Sequence, residues 1–123
     1  MGDENQDITP EEETEGQLAI DVYQDEENIY LIAPIAGAAP ADITVSITDE
    51  VVTIRGERKS GHNASDEQHF VAECYWGTFS RTFIMPVAVN SEKAKATLKN
   101  GLLSIVIPKD IRSKTKSLKI EMG

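Results

Sequence analysis

From Leu18 onward, apolar residues recur in short runs, and each run is closed by a turn signal. Leu18, Ile20 and Val22 alternate with Ala19, Asp21 and Tyr23, the period of two that gives a half-buried strand one apolar face. Residues 25–28 turn the chain. Residues 29–35 form an apolar run fit for a central strand, broken by Ala36-Gly37-Ala38-Ala39-Pro40. Ile43, Val45 and Ile47 alternate with Thr44, Ser46 and Thr48, and Asp49-Glu50 leads into a hairpin partner over residues 51–55. Residues 57–69 are polar, contain Gly61, Asn63 and Ser65, and predict a long loop. Residues 70–76 and 78–85 flank Gly77 and read as two strands or one bent strand, which Pro86 ends. Ala94, Ala96 and Leu98 alternate with Lys95, Thr97 and Lys99. Asn100-Gly101 is a strong tight-turn signal, after which Leu103, Ile105 and Ile107 run to Pro108.

About eight short strands with no crossover helix predict an all-β chain, an antiparallel β-sandwich. The one helical candidate, residues 91–98, is short and ambiguous. At 123 residues the chain is long enough for one domain with a real core. Residues 1–16 carry no aromatic side chain and one bulky aliphatic, Ile8; they bury too little to offset ordering entropy and are expected to be a disordered arm. Residues 17–109 make the domain and residues 110–123 a C-terminal extension.

Charge sharpens this division. The net charge is −9. Asp3, Glu4, Asp7, Glu11, Glu12, Glu13 and Glu15 lie in the arm with no base among them, leaving 14 acids against all 12 bases elsewhere. The acidity belongs to the arm, which repels nucleic acid and anionic lipid and favours solubility. Aromatics are few and bases gather only after Pro108, so no nucleic-acid surface is expected. No apolar stretch reaches the ~20 residues of a membrane helix, and the first residues lack the apolar region of a secretory signal, which makes the cytoplasm the default expectation.

Chemistry finds little to stand on. One cysteine, Cys74, excludes an internal disulfide and a cysteine-based zinc cluster; it reads as a small half-buried strand residue, with redox or crosslinking chemistry as the alternative. His62 and His69 are seven apart in or beside the polar loop, which matches no common zinc spacing, so no metal is expected. Ser80 lacks the glycines of a nucleophile elbow, and the glycines are scattered at turns where no phosphate is cradled. No catalytic residue and no cofactor are expected.

Several segments, taken in order, resemble the small heat-shock protein family and its alpha-crystallin domain. They are Ala36-Gly37 followed by Asp42-Ile43-Thr44-Val45; Val51-Val52-Thr53-Ile54-Arg55-Gly56-Glu57-Arg58; Thr78-Phe79-Ser80-Arg81-Thr82-Phe83 ending at Pro86; Ala96-Thr97-Leu98-Lys99-Asn100-Gly101-Leu102-Leu103; Ile105-Val106-Ile107-Pro108; and the tail Leu118-Lys119-Ile120. Ala36 and Ala38 depart from the family's usual Pro and Phe, and Val71 and Cys74 from positions often held by Arg.

The resemblance implies an immunoglobulin-like sandwich that dimerises by strand exchange through the loop 57–69. It places Arg81 in that dimer interface, together with Glu57, His69 and Phe70 at the ends of the loop. Arg81 lies between Phe79 and Phe83 on one strand face, where a charge needs a partner, and a carboxylate from the exchanged loop is the expected one. Leu118 and Ile120 are implied to be an anchor that plugs a groove of another subunit, lined by Ile43, Val45, Ala94, Ala96 and Leu98, and so to build larger assemblies. The implied function is that of an ATP-independent holdase that binds unfolding client proteins. A co-chaperone or adaptor of the CS-domain type, binding one folded partner, is the alternative.

Overall fold

A computed structural model describes residues 16–110 and 117–123. The arm before Gly16 and the linker 111–116, for which disorder and a polar tether are expected, lie outside the described residues. Eight strands are described: β1 (Gly16–Gln17), β2 (Asp21–Gln24), β3 (Asn28–Pro34), β4 (Ile43–Ile47), β5 (Val51–Arg58), β6 (Gly77–Ile84), β7 (Lys95–Lys99) and β8 (Leu102–Pro108). They form two four-stranded sheets, ordered β1-β6-β5-β4 and β2-β3-β8-β7. Every pairing is antiparallel except the two-residue parallel contact of β1 with β6.

The inner faces supply the core. Ile29, Leu31 and Ala33 of β3 alternate inward with Leu103, Ile105 and Ile107 of β8, against Val52, Ile54 and Phe79 from the other sheet. Each large side chain so buried contributes about 1.5–3 kcal/mol before entropic costs. Among the described residues no polar or charged residue is buried.

Turn chemistry sets the registers. Asn100 and Gly101 both have positive φ, 55° and 76°, as a two-residue hairpin turn requires, and Lys99 pairs with Leu102 directly across it. Between β4 and β5 the Thr48 hydroxyl accepts from the Glu50 and Val51 N–H groups, both at 3.1 Å.

Four expectations change. The alternation of Leu18, Ile20 and Val22 is not one strand: β1 joins β6, β2 joins β3, and residues 18–20 step between the sheets while Leu18 stays in the core. Gly16, assigned by composition to the arm, already pairs with Phe79. Residues 70–76 form no strand: they pair with no other strand among the described residues, and Phe70 and Val71 are exposed. Cys74 in that run is therefore exposed and not half-buried. The ambiguous residues 91–98 resolve into a 3-10 turn, Ser91–Lys93, followed by β7.

Candidate functional site

Residues 18–20 link β1 to β2, so those two strands flank the same side of the sandwich. Three residues span little more than the ~10 Å between packed sheets. The opposite margins, β4 and β7, therefore face one another across the other side, and each has an unpaired strand edge among the described residues. Ile43, Val45 and Ile47 stand opposite Gly56, Ile54 and Val52 on the inner face of their sheet. Ala96 and Leu98 stand opposite Ile105 and Leu103 on the inner face of theirs. All are packed at the margin of the core and only partly buried, except Ala96, which solvent reaches although its neighbour Ile105 is buried. Small Ala94 and Ala96 leave the β7 wall low; Ile43 and Val45 give the β4 wall bulk. The expected groove residues thus lie along the two outer strands and at the start of β7, where Ile43, Val45, Ala94 and Leu98 pack at the partly buried margin of the core.

The expected anchor does not cover these residues within the chain. Leu118 and Ile120 are 79% and 95% exposed, and Met122 beside them is as open. Two apolar residues spaced for one face are thus left to solvent.

The loop 59–76 holds the second group of predicted residues. Among the described residues its only regular element is the 3-10 turn Asp66–Gln68. Phe70 is fully exposed, and Val71, Tyr75 and Trp76 extend the apolar surface. The His69 imidazole meets the Ser65 carbonyl through Nδ1 at 2.7 Å, and the His62 Nδ1 accepts from the Ala64 N–H at 3.1 Å. The two rings lie 5.3 Å apart, a proximity that sequence separation alone does not show. Among the described residues no group of three or more His, Cys, Asp or Glu is placed to hold a metal ion. Glu57 is exposed beside this loop.

Arg81 takes an inward-facing position between Phe79 and Phe83 and is partly buried. Within the chain its Nη1 donates to the Leu18 carbonyl at 2.8 Å. That acceptor is a backbone oxygen of the step between sheets, a partner within the chain additional to the carboxylate expected from a second subunit. Only the split of the first apolar alternation creates it, so period-two reasoning misses it. Tyr75 makes a second tie: its hydroxyl accepts from the Gly16 N–H at 3.1 Å and donates to the Thr78 carbonyl, pinning β1 to β6.

Two carboxyls at the turns are held below their ordinary pKa. For Asp25 the main cause is the Tyr30 hydroxyl, helped by the Asn28 and Glu27 N–H groups. For Asp42 it is the Ala39 N–H and then Lys59, 3.3 Å away. Both stabilise turns. Neither points into a cleft, so their shifts speak of structure.

Similarity to known proteins falls on this framework. The Hsp20/alpha crystallin family profile matches residues 21–122. Small heat shock protein C4 of Rickettsia felis is 33% identical over 100 residues, covering 81% of this chain and 61% of that protein. A probable 15 kDa heat shock protein of Leptospira interrogans is 31% identical over 114 residues, covering 89% and 86%. The crystal structure of a small heat-shock protein from Xylella fastidiosa, described as revealing a distinct high order structure, superposes with a TM-score of 0.69 at 31% identity, covering 86% of this chain and 95% of that one.

Proposed function

Because the chain belongs to the Hsp20/alpha crystallin family, the small heat-shock proteins, we propose that it is an ATP-independent holdase that binds unfolding proteins and keeps them from aggregating. The observation that carries this reading is the partly buried apolar margin along the unpaired strands β4 and β7, in a chain whose Leu118 and Ile120 are also exposed.

The proposed working cycle is physical and catalyses nothing. Leu118 and Ile120 of one subunit seat against this margin of another and cover Ile43, Val45, Ala94, Ala96 and Leu98. Burying two such side chains yields about 1.5–3 kcal/mol each, and immobilising the tail removes much of it. A single plug is therefore weak and reversible, while many plugs in one particle reinforce each other through effective concentration. When plugs release, apolar walls and unpaired strand edges become available to exposed segments of a client. Such burial and edge pairing are indifferent to client sequence and need no nucleotide.

Dimerisation is proposed to use the loop 57–69. Residues 59–76 lack a strand of their own and carry an exposed Phe70, and a neighbouring subunit's edge would satisfy their backbone groups. Arg81, Glu57, His69 and Phe70 are proposed to lie at that interface. Solubility of loaded particles falls to the acidic arm. The cytoplasm is the proposed setting; among the described residues no helix is long and apolar enough to cross a membrane. Light scattering from a heat-unfolding test protein, with and without this chain and in the absence of nucleotide, tests the reading: suppression is expected. No suppression, with tight binding to a single folded chaperone, would assign the chain to the adaptor class.

A further inference from the structure

The loop between β5 and β6 folds back on itself at the 3-10 turn Asp66–Gln68. The Gln68 side chain accepts from the Ser65 N–H at 2.8 Å, and the Gln68 and His69 N–H groups donate to the Ser65 and Asp66 carbonyls at 3.0 and 3.2 Å. The turn carries His69 back to His62, and the two ring centres end 5.3 Å apart with an interplanar angle of 55°. Each ring is tied through Nδ1 to the backbone of residues 64–65: His69 donates to the Ser65 carbonyl at 2.7 Å, and His62 accepts from the Ala64 N–H at 3.1 Å. Neither Nε2 has a hydrogen bond among the described residues. Both rings line an open cavity of about 530 Å³, together with Asp66, Glu73, Cys74 and Trp76.

The separation of the rings is the one a shared metal ion requires. Two imidazoles on one tetrahedral zinc, at a Zn–N length of about 2.0–2.1 Å, have ring centres about 5.2 Å apart. A histidine whose Nδ1–H is bonded to a backbone carbonyl keeps its lone pair on Nε2, the form in which metal-binding histidines are held. His69 is already in that form. His62 reaches it by moving its ring proton to Nδ1, which trades the Ala64 N–H for water; His62 and Ala64 are both exposed, so the trade costs little. The carboxyls of Asp66 and Glu73 in the same cavity add a negative potential that favours a cation. Among the described residues no third His, Cys, Asp or Glu is placed to join the two imidazoles, which leaves the remaining positions to water.

We propose that His62 and His69 form a two-imidazole site for zinc or a divalent transition-metal ion of like preference. Binding links residues 62 and 69 and closes the tip of the loop. It competes with protons for the imidazoles and weakens as the solution is acidified. The interval of seven residues does not announce the site, because the turn at Asp66–Gln68 brings the rings together and their spacing does not. The site goes beyond the holdase reading and does not depend on it.

The test uses the full chain without a tag. Zinc titration by calorimetry is run on the wild type, His62→Gln, His69→Gln and Cys74→Ser, with circular dichroism to check the fold. One zinc per chain is expected in the wild type, with the half-saturating concentration raised at least five-fold in either histidine variant and by less than two-fold in Cys74→Ser. A second readout needs only the wild type: in nitrogen-15 NMR of the imidazoles, zinc should shift the Nε2 of both His62 and His69 and leave both Nδ1 atoms protonated. No zinc binding, a smaller rise in either histidine variant, or a shift confined to one ring overturns the proposal. So does a loss of two-fold or more in Cys74→Ser, which would give the metal to the thiol, or one zinc per two chains, which would place it between copies.

Discussion

Gly56 lies in β5 directly opposite Phe79 of β6, and a methyl group there has nowhere to go. A Cβ built on Gly56 would sit 2.5 Å from Phe79 Cζ, 2.9 Å from Cε1 and 3.0 Å from the Asp42 carbonyl oxygen. The ring cannot retreat: Phe79 is 3% exposed, and the Arg58 guanidinium lies over it. Gly56→Ala is therefore an overpacking substitution, which costs about 1–3 kcal/mol. For a domain of this size that lowers the melting temperature by about 4–20 °C. The ring is the named obstacle, so Phe79→Leu should cost at least about 1 kcal/mol less in the Gly56→Ala background than in wild type. Urea unfolding followed by far-ultraviolet circular dichroism on the four chains reads both numbers. A Gly56→Ala chain within about 0.5 kcal/mol of wild type, or two strictly additive substitutions, would refute the packing argument.

Leu118→Ser with Ile120→Ser removes the proposed anchor; native mass spectrometry should show the particle distribution collapsing toward dimers with the unfolding midpoint unchanged, and an unaltered distribution would leave the tail without a role in assembly. Arg81→Gly should weaken the dimer by light scattering, and because it also strips the Leu18 carbonyl of its donor it should cost about 1–3 kcal/mol of stability; unchanged dimer mass rejects the interface assignment. Asp25 and Asp42 have folded pKa values below their ordinary 3.8. Their contribution is therefore complete above that value and is lost as the pH falls through the depressed folded values. Asp25→Asn with Asp42→Asn should flatten the stability loss as the pH falls below about 4, and an acid limb of wild-type slope would assign acid sensitivity to other groups.

How much of this was legible before the fold was known depends on whether the deciding contact is local. The β7–β8 hairpin follows from Asn100-Gly101, since only a turn with two positive φ angles joins the flanking alternations. The inner faces of the outer strands follow from alternation too: Ile43, Val45, Ala96 and Leu98 must share a face with their strand neighbours, and edge strands leave that face partly open. By contrast, the period of Leu18, Ile20 and Val22 says which face is apolar but not which sheet owns each residue, so both the crossing at 18–20 and the Leu18 carbonyl as partner of Arg81 were out of reach. Residues 70–76 have strand-forming side chains without a strand edge to pair with. The meeting of His62 with His69, and the pairing of Gly16 with Phe79, depend on loop closure and on a strand added to the far edge of a sheet, neither of which leaves a periodic trace.

The most direct test of the central claim is aggregation of a heat-unfolding test protein, followed by light scattering without nucleotide, in the presence of wild type or of Val45→Asp with Ala96→Asp. Wild type should suppress scattering, and the doubly charged variant should lose most of that capacity while keeping its fold by circular dichroism. A folded double variant that protects as well as wild type would contradict the account, because the apolar margin along β4 and β7 would then not be where unfolding chains are held.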